Sequence, residues 1–206
     1  MRKSNNDILE FLGAIYIIYF VYSIIEHYNT HPITLTLICI FALIYFADVL
    51  ILKGKLSKWG TGKSFDNMSN TEWYRLVTSS FFHMNLLHMM ANLFAIYFVG
   101  SFLEDKLGSG LFLLIYMVGN LLVSLLFSTF SSFTDGTGAS PGIFALVGCI
   151  LYLYIQTPEL VDLKFGTWQT NYIILYSTLG NLIGLGGAIS HVLGFIFGIL
   201  MSTLLF

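Results

Sequence analysis

Apolar stretches long enough to cross a bilayer, almost free of charge, constrain this chain more than any motif does. A helix needs about 20 residues to span a ~30 Å hydrocarbon core. Stretches of that kind recur at roughly 8–25, 33–52, 85–103, 110–130, 142–156, 171–187 and 189–205. The fifth is short, the sixth is broken by glycine, and only Gly186-Gly187-Ala188 parts the last two. Hydrophobic residues make up 56% of the 206 positions and charged ones 10%, against roughly 25% charged in a soluble domain. The expectation is an all-α integral membrane protein, a single membrane domain over residues 1–206. Arg2 and Lys3 precede the 8–25 segment as they would a signal peptide. No small-residue cleavage site follows it at Glu26-His27-Tyr28-Asn29, so it reads as a retained helix.

What surrounds the spans removes several function classes. The formal net charge is -2, and the nine Lys and Arg sit in a few clusters instead of a stripe, so no nucleic-acid footprint is present. Cys39 and Cys149 stand in apolar runs without a CxxC or Cys/His spacing and read as small core residues. No metal site and no cofactor are expected. The connection at 53–84 is polar yet carries Trp59, Phe65, Met68, Trp73 and Tyr74 among its lysines. Amphipathic aromatics beside cations settle at a bilayer surface, so this loop is read as lying on the membrane. The plainer alternative is an ordinary loop with scattered aromatics.

Polar side chains within spans are costly in hydrocarbon and mark either function or bonds between helices. His83 lies just before the third span, placed to cap or hydrogen-bond the surface loop. His88 and Asn92 follow within it, four residues apart and on one helix face. Each can offer an N–H to an oxygen that gains charge, and each can equally serve as interhelical glue. Ser140, in Gly138-Ala139-Ser140-Pro141-Gly142, follows the turn-rich Thr134-Asp135-Gly136-Thr137. A serine N-cap with proline at the first helical position is an ordinary helix start. The same placement puts a backbone N–H and the positive end of the helix dipole beside the hydroxyl, which suits an oxyanion. Gly138 and Gly142 allow backbone and substrate to approach closely. The last span reads His191-Val192-Leu193-Gly194-Phe195-Ile196-Phe197-Gly198, a GxxxG packing face with a histidine one turn before it. Packing that face on the helix that starts at Ser140 would bring an imidazole toward the hydroxyl, as a serine–histidine pair requires.

In this order, Glu72-Trp73-Tyr74-Arg75, the trio His83, His88 and Asn92, Gly138-Ala139-Ser140, and His191-x-x-Gly194-x-x-x-Gly198 resemble the rhomboid intramembrane serine proteases over roughly residues 50–206. The resemblance implies a rhomboid-like six-helix bundle core, here 33–206, with a water-filled cavity, preceded at 1–32 by one extra transmembrane helix and a short loop. It implies a serine endopeptidase that cuts single-span or multi-span membrane proteins near the bilayer surface. It makes Ser140 the nucleophile and His191 its general base and acid, a dyad with no acidic third member. His88, Asn92 and the Ser140 amide become the oxyanion and substrate-binding site. Trp73 and Arg75 match a tryptophan–arginine pair in the first loop, Gly194 and Gly198 match helix-packing glycines, and His83 and Gly138 support the site. The family more often has glycine where this chain has Pro141, so altered local geometry is expected there. The alternatives are an inactive rhomboid-like protein that binds membrane clients and a small transporter that uses the same polar residues.

The expected location is multi-pass in a bacterial cell membrane. Charge and resemblance disagree over orientation. With seven spans, Arg2, Lys3, Lys53, Lys55, Lys58, Lys63 and Arg75 share the side of the first long loop, against Lys106 and Lys164. The positive-inside rule puts that side in the cytoplasm, whereas the resemblance opens the cavity outward. Asn67-Met68-Ser69 is a glycosylation sequon only in a lumenal eukaryotic loop.

Overall fold

The computed structural model describes residues 31–130, 134–180 and 185–206, with Gly13, Ile15, Ile18, Tyr19 and Tyr22 as isolated positions upstream. Apart from those five, the segment read as a helix at 8–25 lies outside the described residues. Helix α1, Pro32–Phe46, starts with proline in its first turn and runs on as a π-helical stretch, Ala47–Leu52. Left-handed backbone at Lys53 and Gly54 turns the chain into α2, Lys55–Gly60. The N-terminal amides of α2 are satisfied by Asp48, whose carboxylate accepts from the N–H of Leu56 and of Ser57 at 2.8 and 3.1 Å. A short helix α3, Arg75–Thr78, closes the loop.

Helix α4, Leu86–Ala95, continues through a π-helical stretch, Ile96–Gly100, into α5, Ser101–Ser128. Read as one rod, the 43 residues of Leu86–Ser128 would extend about 65 Å, twice a bilayer core. The rod is broken at Gly108, where φ is 78° and ψ is 161°. Gly100 consequently lies against the Phe112 ring, so the chain folds back on itself at this corner. Glu104 locks this corner. Its buried carboxylate accepts from the Ile33 and Thr34 N–H groups at 2.9 and 2.8 Å and from the Ser109 hydroxyl at 2.6 Å, joining the start of α1 to the reversal.

Helix α6, Ser140–Gln156, occupies the centre, and every residue from Gly142 to Ile150 is buried. A helix apolar all round fits that position. Helix α8, Leu185–Leu205, lies along it. Helix α7, Trp168–Leu179, corrects the expected span at 171–187. It starts earlier because the Thr167 hydroxyl caps it by accepting from the Thr170 N–H, and the rest of the expected span from 181 to 184 lies outside the described residues. Among the described residues, three helical segments are long and apolar enough to cross a membrane: Pro32–Leu52, Leu86–Ser128 and Gly187–Leu205. Their outer faces present large apolar side chains such as Leu43, Leu87 and Leu204.

The all-α architecture carries one small exception. Strands β1, Gly62–Lys63, and β2, Thr134–Gly136, form an antiparallel pair with a bulge-like shift of register. This pair ties the first long loop to the segment that enters α6.

Candidate active site

Ser140 is placed by the turn before it. Gly138 has φ +125°, a conformation L side chains rarely adopt, and its N–H donates to the Ser79 carbonyl at 3.1 Å. A Cβ at Gly138 would also come within 2.9 Å of the His88 ring and 3.7 Å of the Ser140 hydroxyl oxygen, so the missing side chain leaves room beside both groups. Ala139, not Ser140, is the N-cap, and no side chain caps the helix. Ser140 is its first residue, which keeps the hydroxyl free of a capping bond. Pro141 falls in the first turn, where helix N–H groups have no intrahelical partner, so the ring removes no ladder bond.

His191 comes from α8, and backbone-to-backbone packing holds α8 against α6. Gly194 faces the Pro141 carbonyl, Gly198 faces the Ala145 carbonyl, and from the other side Gly148 faces the Phe195 carbonyl. Any side chain at these glycines would overlap main-chain atoms. The His191 ring stacks flat on Phe144, with centroids 4.3 Å apart and planes at 8°. Its Nδ1 is buried with no hydrogen-bond partner among the described residues, and the Phe144 stack and the Gly180 backbone beside the imidazole position the ring. Ser140 and His191 are both buried.

His88 and Asn92 stand on α4, whose N-cap Asn85 accepts from the His88 N–H at 2.9 Å. The Asn92 amide donates to the His88 carbonyl at 3.1 Å, and its oxygen accepts from the Tyr176 hydroxyl at 2.8 Å. Ser140, His191, His88, Asn92 and Gly138 all line one cavity of about 640 Å³, with Tyr176 on its α7 side. His83 does not. It lines a separate cavity of about 160 Å³ with Asp48 and Ser57. The expectation that it caps or bonds the loop is corrected, because both ring nitrogens lack hydrogen-bond partners among the described residues and the ring packs edge-on against Phe41 and His88. Burial, and then the neighbouring His88, push its imidazole down to about 3.

In the first loop the structure pairs Arg75 with Glu72. The buried Arg75 guanidinium meets the Glu72 carboxylate at 2.6 Å and donates to the Thr61 and Lys58 carbonyls at 2.9 and 3.2 Å. Trp73 is exposed and leans on Phe65. The Ser69 N–H, together with Lys63 and Arg75, lowers the Glu72 carboxyl to about 2. Sequence reading passed over Phe144, Glu104 and Tyr176. The i, i+4 spacing of Tyr172 and Tyr176 was the available signal, since it sets two hydroxyls on one face of α7.

Comparisons with known proteins converge. The model of the rhomboid domain family matches residues 70–206. The chain is 34% identical over 121 residues to the rhomboid protease GluP of Bacillus subtilis, covering 59% of this chain and 22% of that protein. It is 28% identical over 173 residues to the rhomboid protease GlpG of Yersinia enterocolitica, covering 83% and 62% respectively. It is 31% identical over 135 residues to RHOMBOID-like protein 1 of Arabidopsis thaliana, covering 61% and 35%. The chain thus spans less than two thirds of the length of each of these relatives.

Proposed function

The chain belongs to the rhomboid family and is a multi-pass integral membrane protein, and from that premise we propose that it is an intramembrane serine endopeptidase acting through Ser140 and His191. The observation that carries the reading is the convergence, on one cavity, of a hydroxyl from α6, an imidazole from α8 and an amide and imidazole from α4. Polar groups so far apart in sequence gather at one point inside apolar helices at considerable cost.

In this reading the Ser140 oxygen attacks the scissile carbonyl carbon while its proton passes to His191. The carbonyl oxygen, now negative, takes N–H bonds from Asn92, from neutral His88 and from the Ser140 backbone. His191 returns the proton to the leaving nitrogen, the C–N bond breaks, and an acyl ester remains on Ser140. Water, activated by the same imidazole, then splits that ester. Substrates are membrane-spanning proteins cut near the bilayer surface, and the catalytic unit is the bundle at 33–206 within a single membrane domain. The relatives from Bacillus subtilis and Yersinia favour a bacterial cell membrane. An inactive, client-binding protein was the alternative raised by Pro141, but α6 runs unbroken from Ser140 to Gln156 with the proline in its first turn.

A fluorophosphonate probe and a single-span reporter test the proposal together. The probe should label the wild type but not Ser140→Ala, and Ser140→Ala and His191→Ala should each lose cleavage while staying folded. Cleavage by Ser140→Ala above a tenth of wild type would overturn the assignment.

A further inference from the structure

An oxyanion donor is useful only if its N–H points at the reacting oxygen, and a terminal carboxamide turns readily, because its last torsion is broad and roughly two-fold. Two bonds fix the Asn92 amide. The His88 carbonyl can only accept, so the nitrogen of the amide must face it, at 3.1 Å. The amide oxygen then faces Tyr176, and the tyrosine hydroxyl must donate, at 2.8 Å. With the oxygen and one N–H committed, a single N–H of Asn92 remains for a ligand, on a side chain that lines the cavity holding Ser140.

Tyr176 is well placed to hold that arrangement. It is buried, and its ring rests on Phe144 with centroids 5.3 Å apart, the same Phe144 whose other neighbour is the His191 ring. One tyrosine therefore steadies the amide with its hydroxyl and supports, with its ring, the aromatic on which the imidazole lies. Helix α7 does not depend on that hydroxyl for its place, since Tyr172 donates to the Ala91 carbonyl at 3.1 Å and Gln169 to the Phe98 carbonyl at 3.0 Å. Removing the Tyr176 oxygen leaves both of those attachments to the α4 arm and frees the amide to turn.

We propose that Tyr176 is a positioning residue for the oxyanion site, fixing through its hydroxyl the one free N–H of Asn92 toward the carbonyl oxygen attacked by Ser140; this rests on the protease reading above. Because hydroxyl and amide stand on different helices, the donor is aligned only while α7 lies against α4.

The test is a double-mutant cycle on the full chain with a single-span reporter. Tyr176→Phe should lower kcat at least about tenfold, approaching the 10²–10³-fold typical of a lost oxyanion donor, with KM and thermal stability near wild type. Adding it to Asn92→Ala should cost nothing further, because a positioning residue acts only through what it positions. Gln169→Leu, which removes one attachment remote from the cavity while Tyr172 and Tyr176 still hold α7 on α4, should leave kcat near wild type. Unchanged kcat in Tyr176→Phe, full additivity with Asn92→Ala, or an equal loss in Gln169→Leu would each overturn the proposal. If Tyr176→Phe does not survive purification, the rate of fluorophosphonate labelling at Ser140 in isolated membranes replaces kcat, with slower labelling expected and an unchanged rate refuting it. Cleavage by Ser140→Ala would instead overturn the protease reading itself, so the two failures are distinguishable.

Discussion

The α6–α8 contact makes a sharp prediction for Gly198→Ala. A Cβ built there falls 2.6 Å from the Ala145 carbonyl carbon and nearer still to its oxygen, whereas ordinary contact begins at 3.4 Å. The obstructing atoms are backbone of a buried central helix, so they cannot swing aside as a side-chain tip would. Helix α8 must recede by at least about 0.8 Å, beyond the ~0.5 Å within which catalytic groups are held. His191 rides on the same helix two turns upstream, and misplacement on the order of 1 Å costs about 10²-fold in rate. Overpacking of this kind costs about 1–3 kcal/mol, or about 2–4 °C in Tm for each kcal/mol in a chain of this size. Reporter cleavage and thermal unfolding in the same detergent should therefore fall together. Gly110→Ala is the control, because nothing lies within 4 Å of its Cβ, and there the helix should be unchanged or slightly stabilised. A Gly198→Ala protein with wild-type rate and wild-type Tm would refute the account of how His191 is held.

Other outcomes can be checked with the same preparation. Asn92→Ala should slow turnover roughly ten- to a thousand-fold with little change in KM, as loss of one oxyanion donor does, while failure to fold would make Asn92 interhelical glue. Acid should loosen the loop region in two stages. His83 stays neutral down to about 3 when folded but takes a proton near 6.5 when unfolded, so Tm should fall as pH drops from about 6.5 toward 3, and His83→Phe should flatten that slope. Glu72, at about 2 folded against 4.5 unfolded, stabilises fully above 4.5 and adds a second loss below it, which Glu72→Gln should abolish. A flat Tm from pH 7 to 4 would contradict the His83 stage, and an acid slope below 4.5 that Glu72→Gln leaves unchanged would contradict the Glu72 stage. With Cys39 and Cys149 replaced, a cysteine at the exposed Asp66 should react with an impermeant maleimide on intact cells if the cavity opens outward, and reaction only after lysis would favour the lysine count.

Which parts of this were legible in the sequence follows from which forces are local. Spans such as 33–52 and 189–205 could be read because hydrophobicity accumulates along the chain. The reversal at Gly108 could be inferred only from the gap between two apolar runs. The start of α7 was misplaced because the Thr167 cap sits in a polar stretch ahead of the apolar run, and hydropathy carries no information about caps. The spacing of Gly194, Gly198 and His191 announces a face, but that its partners are the Pro141 and Ala145 carbonyls is a tertiary fact. Arg75 illustrates another limit: a motif match singles out the residue, but that its buried guanidinium is satisfied by the Glu72 carboxylate and the Thr61 and Lys58 carbonyls depends on how the loop folds. Tyr176 and Phe144 escaped notice because a tyrosine and a phenylalanine in apolar helices look like core until their neighbours are known.

The ladder between Gly62–Lys63 and Thr134–Gly136 has a bearing on how such a chain can change over time. Strand pairing exchanges main-chain groups only, so it places almost no demand on which side chains occupy those positions. The positions in the two strands can therefore vary in side chain while the turn that presents the Ser140 hydroxyl stays where it is. The exceptions are narrow. A proline that deletes a ladder N–H, or a side chain at Gly138, would reach the surroundings of Ser140 and His88.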